Sequence, residues 1–342
     1  MNAQGLAGRY ILEMVSKAVL FAAPDPVALL PVGNKPLVLH ALEELSDAGI
    51  KDVAVVTAPS VAEELREIVD RPSGELIVAV HEVSDEGLFM DALHQVRPFL
   101  GDDPFVVHLG DSLTHAGLAE AIRAPGLEGN DAIALVEAAS RHVTQLDAGL
   151  ASRRAAGIYV FGPGVLDLQV DADLPADWDH EIASATELLA AGGGRVEMRP
   201  VNDWWRYRHR SDALLQANRF FLAGMRGGPT DAWLENTDLQ GPVALHPTAR
   251  LTSAVVRGPV IIGPGAQVRD AYIGPYTSVG PHVVIENAEV EHSIILSHAS
   301  IQNLGTRLEG SIVGRHARVF SDFRLPRALR LNVNDGAEVS IA

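Results

Sequence analysis

From Leu245 the chain returns to an aliphatic residue every seventeen positions, at Ile262, Val279, Leu296 and Val313. Four past these anchors stand Ala249, Ala266, Val283, Ser300 and Ala317. Six past them stand Leu251, Val268 and Ile285, then Gln302 with Ile301 beside it, then Val319. A short coil cannot bury its own apolar face, so a fixed period of this kind requires that each coil stack on a near copy of itself. The period divides into six, five and six: Leu245, Leu251, Val256 and Ile262. That spacing predicts three short strands per turn, with the Gly-Pro pairs at 263–264, 274–275 and 280–281 at the corners.

The first two-thirds carries a different pattern. Lys17–Ala23, Val53–Thr57, Leu76–His81, Phe105–Gly110 and Ala132–Val136 are short apolar runs of strand length. Between them, Leu37–Ala48, Val61–Val69 and Gly87–Leu100 space their apolar residues by three and four. Strand-helix alternation predicts a parallel, doubly wound α/β sheet, with ligands at the carboxyl ends of its strands. Further along, Gly157–Phe161 and Val196–Arg199 read as strands, Ala183–Ala191 and Ser211–Leu222 as helices. The expected division is an N-terminal extension at 1–16, an α/β domain at 17–223, a linker at 224–238, and the coiled domain with its tail at 239–342.

A formal charge of −17 argues against nucleic acid or an anionic membrane surface as a partner. The absence of cysteine excludes disulfides, thiolate nucleophiles and sulfur-ligated zinc. The first sixteen residues lack a basic start and a long apolar core, so a cytoplasmic location is expected.

Hexads such as IGPGAQ, IGPYTS and VGPHVV resemble those of left-handed parallel β-helices. An α/β domain followed by such a β-helix is the layout of sugar-1-phosphate nucleotidyltransferases. The segments at 31–50 (PVGNKPLVLHALEELSDAGI), 105–113 (FVVHLGDSL), 157–163 (GIYVFGP), 204–222 (WW…LLQANRFFL) and 257–295 resemble the long form of glucose-1-phosphate thymidylyltransferase more closely than layout requires. The resemblance covers nearly the whole chain from Lys17. It implies a Rossmann-like nucleotidyltransferase domain that joins a nucleoside triphosphate to a sugar-1-phosphate with Mg²⁺ and releases pyrophosphate. Such chemistry is mostly positioning and charge neutralisation.

Measured against that resemblance, the phosphate-handling parts are cut. After the first strand the family carries a glycine-rich turn with an arginine, then a Pro-Lys pair. This chain reads FAAPDPVALLPVGNKP, with Val27 at the family lysine and two prolines that lack the N–H groups a phosphate nest uses. Asp111, in GDS after a strand, falls at the first Mg²⁺ ligand of the family; an Asp there also caps turns. The second family carboxylate lies in a Trp-Lys-Asp-Thr-Gly stretch, and here Tyr207 holds its position. Asp203 is four residues upstream of it, too far along a strand to take its place. Glu137 stands early in the sugar-side segment without the Lys-Pro that should follow.

Candidate nucleotide- or sugar-binding residues that remain are Lys35, Gly87, Leu88, Asp111, Gly157, Tyr159, Arg206 and Arg208, the last two in a basic run that includes His209 and Arg210. Gly157 and Tyr159 are equally strand packing positions, and PVGNKP is equally a strand-helix junction. Three functions are open. One is a homologue without pyrophosphorylase activity that binds a nucleotide sugar or sugar phosphate, or partners a catalytic paralogue or its own copy. Another is an active nucleotidyltransferase with a rebuilt site, using Mg²⁺. The third is a β-helix acyltransferase with a base among His282, His292, His298 and His316.

Overall fold

The computed structural model describes residues 15–22, 26–69, 76–83, 89–115, 118–122, 131–137, 155–169, 178–207, 210, 212–228 and 230–321. Contacts divide the chain into two units, Met1–Met225 and Arg226–Ala342.

The first unit is built on a seven-stranded sheet. Its strands are β1 (Lys17–Phe21), β4 (Asp52–Thr57), β5 (Ile77–Glu82), β6 (Phe105–Leu109), β8 (Ala132–Glu137), β9 (Ala155–Phe161) and β10 (Val196–Val201). A hairpin of β2 (Pro31–Val32) and β3 (Lys35–Pro36) stands apart, as does the pair of β7 (Ser112–Thr114) and β11 (Trp204–Arg206). The helices are α1 (Leu37–Asp47), α2 (Pro59–Val69), α3 (Phe89–Leu100), α4 (Leu118–Ala121), α5 (Trp178–Ala191) and α6 (Ala213–Ala223).

The sheet order is β10-β8-β9-β6-β1-β4-β5, with β1, β4, β5 and β6 parallel. The expectation of a wholly parallel sheet needs one correction, because β9 runs antiparallel to both β6 and β8. An antiparallel neighbour needs no crossover helix, and the strand-helix alternation of the sequence lapses between β8 and β9. Both faces are covered, as the apolar runs demand. Val19 and Phe21 of β1 pack with α3 and α5, while Ala18 and Leu20 pack with α1 and α2.

The second unit is a parallel β-helix. Three stacks of short strands repeat around it, for example Trp233–Glu235, Arg250–Thr252, Gln267–Arg269, Val284–Glu286, Ser300–Gln302 and Arg318–Phe320 on one face. The first of these lies inside the stretch expected as linker, so the coils begin earlier than the apolar period alone indicated. Leu251, Val268, Ile285 and Ile301 occupy successive inward seats, all fully buried.

The register explains the break in the period at Gln302. Ile273 pairs with Val290, seventeen residues on, but Val279 pairs with Ile295, sixteen on. The corner Glu291-His292-Ser293 is thus one residue shorter than Gly274-Pro275-Tyr276-Thr277 before it. The inward seats therefore fall to Ile295, Ala299 and Ile301, correcting the expectation that placed Leu296 and Ser300 there. The next coil is longer: Val290 pairs with Leu308 and Ile295 with Val313.

Candidate active site and its arginine clasp

The carboxyl ends of β1 and β6 meet where the Gly110 amide donates to the Phe21 carbonyl at 2.8 Å. A Cβ on Gly110 would lie 2.7 Å from that oxygen, so the chain can turn here only with glycine. Asp111 follows at once. β7 then pairs antiparallel with β11, setting Arg206 opposite Ser112, and the Tyr207 amide donates to the Asp111 carbonyl at 2.8 Å. Two segments far apart in sequence are thereby zipped together beside Asp111.

The Arg206 guanidinium lies across two carboxylates. Its Nε is 3.0 and 2.9 Å from the two oxygens of Asp111. Its Nη1 is 2.7 and 2.9 Å from those of Asp179. The arginine side chain is 8% exposed, against 26% for Asp111 and 30% for Asp179, so the cation is the most enclosed of the three. Asp179 stands in the first turn of α5, where an acid suits the helix N-terminus. Trp178 anchors that turn by packing edge-on against Phe21, with ring centroids 5.0 Å apart.

Gly157 makes room for the clasp. It has φ +79° and lies between positions where the β8–β9 register shifts. A Cβ there would come within 3.3 Å of Arg206 Nε and of Ser112 Oγ. Tyr159, two residues on, is buried and stacked with Phe161 at 6.0 Å.

Burial alone would lower the Arg206 pKa, but the charges of Asp111 and Asp179 outweigh it and raise it above its ordinary value. The guanidinium is charged throughout. Burial pushes the Asp111 carboxyl upward, opposed by the charge and hydrogen bonds of Arg206 and reinforced by the Asp179 charge.

The candidates thus fall into three groups. Asp111, Gly157, Tyr159 and Arg206 come together around the clasp, joined by Asp179. Lys35 is engaged elsewhere: it sits on β3 after a turn in which Gly33 and Asn34 both have positive φ, and its ammonium is 2.6 Å from Glu43 of α1. PVGNKP is therefore a β-hairpin rather than a plain strand-helix junction. Val27, expected at the family lysine, is half-buried and packs against an apolar cluster of Val32, Leu37, Leu113 and Ala217. Tyr207 is held through its backbone to Asp111. Gly87, Leu88, Arg208 and His209 lie outside the described residues. Arg210 is exposed and pairs with Asp212 at 3.0 Å.

Asp179 escaped the sequence reading because an acid opening a helix is unremarkable. The helix itself begins five residues before the stretch in which it was expected.

The metal test follows from the same geometry. All four oxygens of Asp111 and Asp179 face one guanidinium. Among the described residues no group of three or more His, Asp or Glu side chains is set to hold a metal. The residues present do not fit Mg²⁺. A separate cavity of about 320 Å³, lined by His40, Glu43, Glu44, Asp47 and Phe221 among others, is acidic and does not include the clasp.

On the β-helix, His282, His298 and His316 have φ of 56°, 60° and 59° and stand one above another at a corner. Their rings stack at 5.0 and 4.9 Å. His292 stacks on Tyr276 at 4.9 Å. These histidines serve as corner residues of successive coils. Among the described residues no helix is long and apolar enough to cross a membrane.

Residues 25–144 match the family model described as nucleotidyl transferase. Over most of its length the chain is similar to curated sugar nucleotidyltransferases. It is 29% identical to a glucose-1-phosphate thymidylyltransferase of Streptomyces griseus, covering 92% of this chain and 93% of the relative. It is 28% identical to the enzyme of the same name from Streptomyces antibioticus, covering 92% and 93%. To the low-salt glycan biosynthesis nucleotidyltransferase Agl11 of Haloferax volcanii it is 29% identical, covering 92% and 94%.

Proposed function

We propose that this chain is a family member that binds a nucleotide sugar or a sugar phosphate and does not carry out pyrophosphorolysis or its reverse. The observation that carries the reading is the Arg206 clasp across Asp111 and Asp179. Displacement at a triphosphate needs cations and amide donors free to neutralise charge as it develops. In the clasp one guanidinium faces two carboxylates, leaving a net negative charge where a triphosphate would add four more. Val27 supplies no charge in place of the family lysine, and Lys35 is paired with Glu43.

A nucleotide sugar carries fewer charges and offers hydroxyl groups that can donate to the outer lone pairs of Asp111. The role that suits such a protein is that of a binding or regulatory partner in a sugar or secondary-metabolite pathway, beside a catalytic paralogue or a second copy of itself. Calorimetric titration with nucleotide sugars, sugar-1-phosphates and nucleoside triphosphates tests the ligand class. The expected result is saturable heat with a nucleotide sugar and none with a triphosphate. Tighter binding of a magnesium-triphosphate complex than of any nucleotide sugar would refute it.

A further inference from the structure

A cation is held at Asp111, and it is a side chain. Each carboxylate needed for a divalent ion has both oxygens within 3.0 Å of the Arg206 guanidinium. Magnesium demands close, near-octahedral oxygen ligands, and the guanidinium competes for the same lone pairs.

The arginine is not free to swing away. β11 is zipped to β7 on one side of it, the Tyr207 amide is tied to the Asp111 carbonyl on the other, and Nε lies 3.3 Å from where a Cβ on Gly157 would stand. Nor can it lose its proton at any physiological pH. A fixed charge of this kind permanently offsets one of the two carboxylate charges and costs no ion-binding equilibrium.

We infer that Arg206 is a resident cation in the place a divalent metal would take, so that the site takes its ligand metal-free. The inference deepens the proposed function at the same site, but its test reads metal binding and not turnover.

Mn²⁺ alone is the probe, followed by the loss of its free-ion electron paramagnetic resonance signal. The wild-type protein is expected to bind no Mn²⁺ that depends on Asp111, and its thermal midpoint to be the same in Mg²⁺ and in EDTA. Arg206→Gln unmasks two adjacent carboxylates and is expected to bind Mn²⁺ at least about tenfold more tightly than wild type. Adding Asp111→Asn to that variant should abolish the gain.

Stoichiometric Mn²⁺ on the wild type that disappears in Asp111→Asn overturns the inference. So does a folded Arg206→Gln that gains no affinity. Should that variant fail to fold, the wild-type midpoint decides: a rise in Mg²⁺ over EDTA that Asp111→Asn removes is equally fatal. Mn²⁺ binding by the wild type would leave the proposed ligand class standing. Pyrophosphate release without any Mn²⁺ binding would sink the proposed function and spare this inference.

Discussion

Replacing Gly157 by alanine tests whether the fold was shaped around the arginine clasp. Two costs add at this position. With φ at +79°, an L-residue is strained by about 1–2 kcal/mol. The new Cβ would also lie 3.3 Å from Arg206 Nε, which is already bonded to both oxygens of Asp111 at 2.9–3.0 Å. Relief requires lengthening those bonds, and weakening a hydrogen bond to a charged group costs about 1–2 kcal/mol more. Gly193, just beyond α5, isolates the first term: its φ is +87° and nothing lies within 4 Å of a Cβ built there.

Scanning calorimetry of the α/β unit gives the comparison. For a unit of this size each kcal/mol moves the midpoint by about 2–4 °C. Gly193→Ala is expected to lower it by about 3–6 °C and Gly157→Ala by about twice that. Equal shifts for the two variants would show that the clasp tolerates a methyl group and that Gly157 is there for its backbone alone.

Other expected outcomes follow from single sites. Ile295→Ala should destabilise the β-helix by about 2–5 kcal/mol, and Leu296→Ala by well under half of that, in urea unfolding; the reverse order would restore the unbroken seventeen-residue register. Asp179→Asn leaves an enclosed guanidinium with one carboxylate and should cost about 1–2 kcal/mol, a buried-pair loss reduced for its partial exposure. His40 is buried with Nε2 2.8 Å from the Val32 carbonyl, and burial holds its pKa below the ordinary 6.5. Its contribution is present in full above pH 6.5 and is lost as pH falls through the folded value, because the unfolded chain takes the proton first. His40→Gln should therefore flatten the acid limb of urea midpoints measured downward from pH 7.5; an unchanged slope would clear His40 of that role.

How much of this was written in the linear sequence depends on the range of the interaction. The β-helix repeats a local rule, and Leu251, Val268 and Ile285 disclose it by spacing. The slip at Glu291-His292-Ser293 was hidden because Ile294, Ile295 and Leu296 are consecutive aliphatics, so counting by seventeen still met an apolar residue. The buried strands around β1 were legible from their uninterrupted apolar runs, whereas the reversal of β9 was not, since strand direction leaves no mark in composition.

At the site, Asp111, Gly157, Tyr159 and Arg206 could be singled out one by one. Their assembly could not, because Arg206 meets Asp111 across 95 positions and Asp179 across 27. A run of basic residues looks like an anion site until the carboxylates that neutralise it are placed. Arg206 and Arg210 both turn out to face acids of their own chain.

The most direct test of the account is pyrophosphate release by the purified chain, supplied with Mg²⁺, each nucleoside triphosphate and a panel of sugar-1-phosphates. No release above the protein-free rate is expected, and Arg206→Gln should not create any. Turnover by the wild type at about 1 per second or faster, in the ordinary range of enzymes, would contradict the claim that the clasp has closed this site to displacement chemistry.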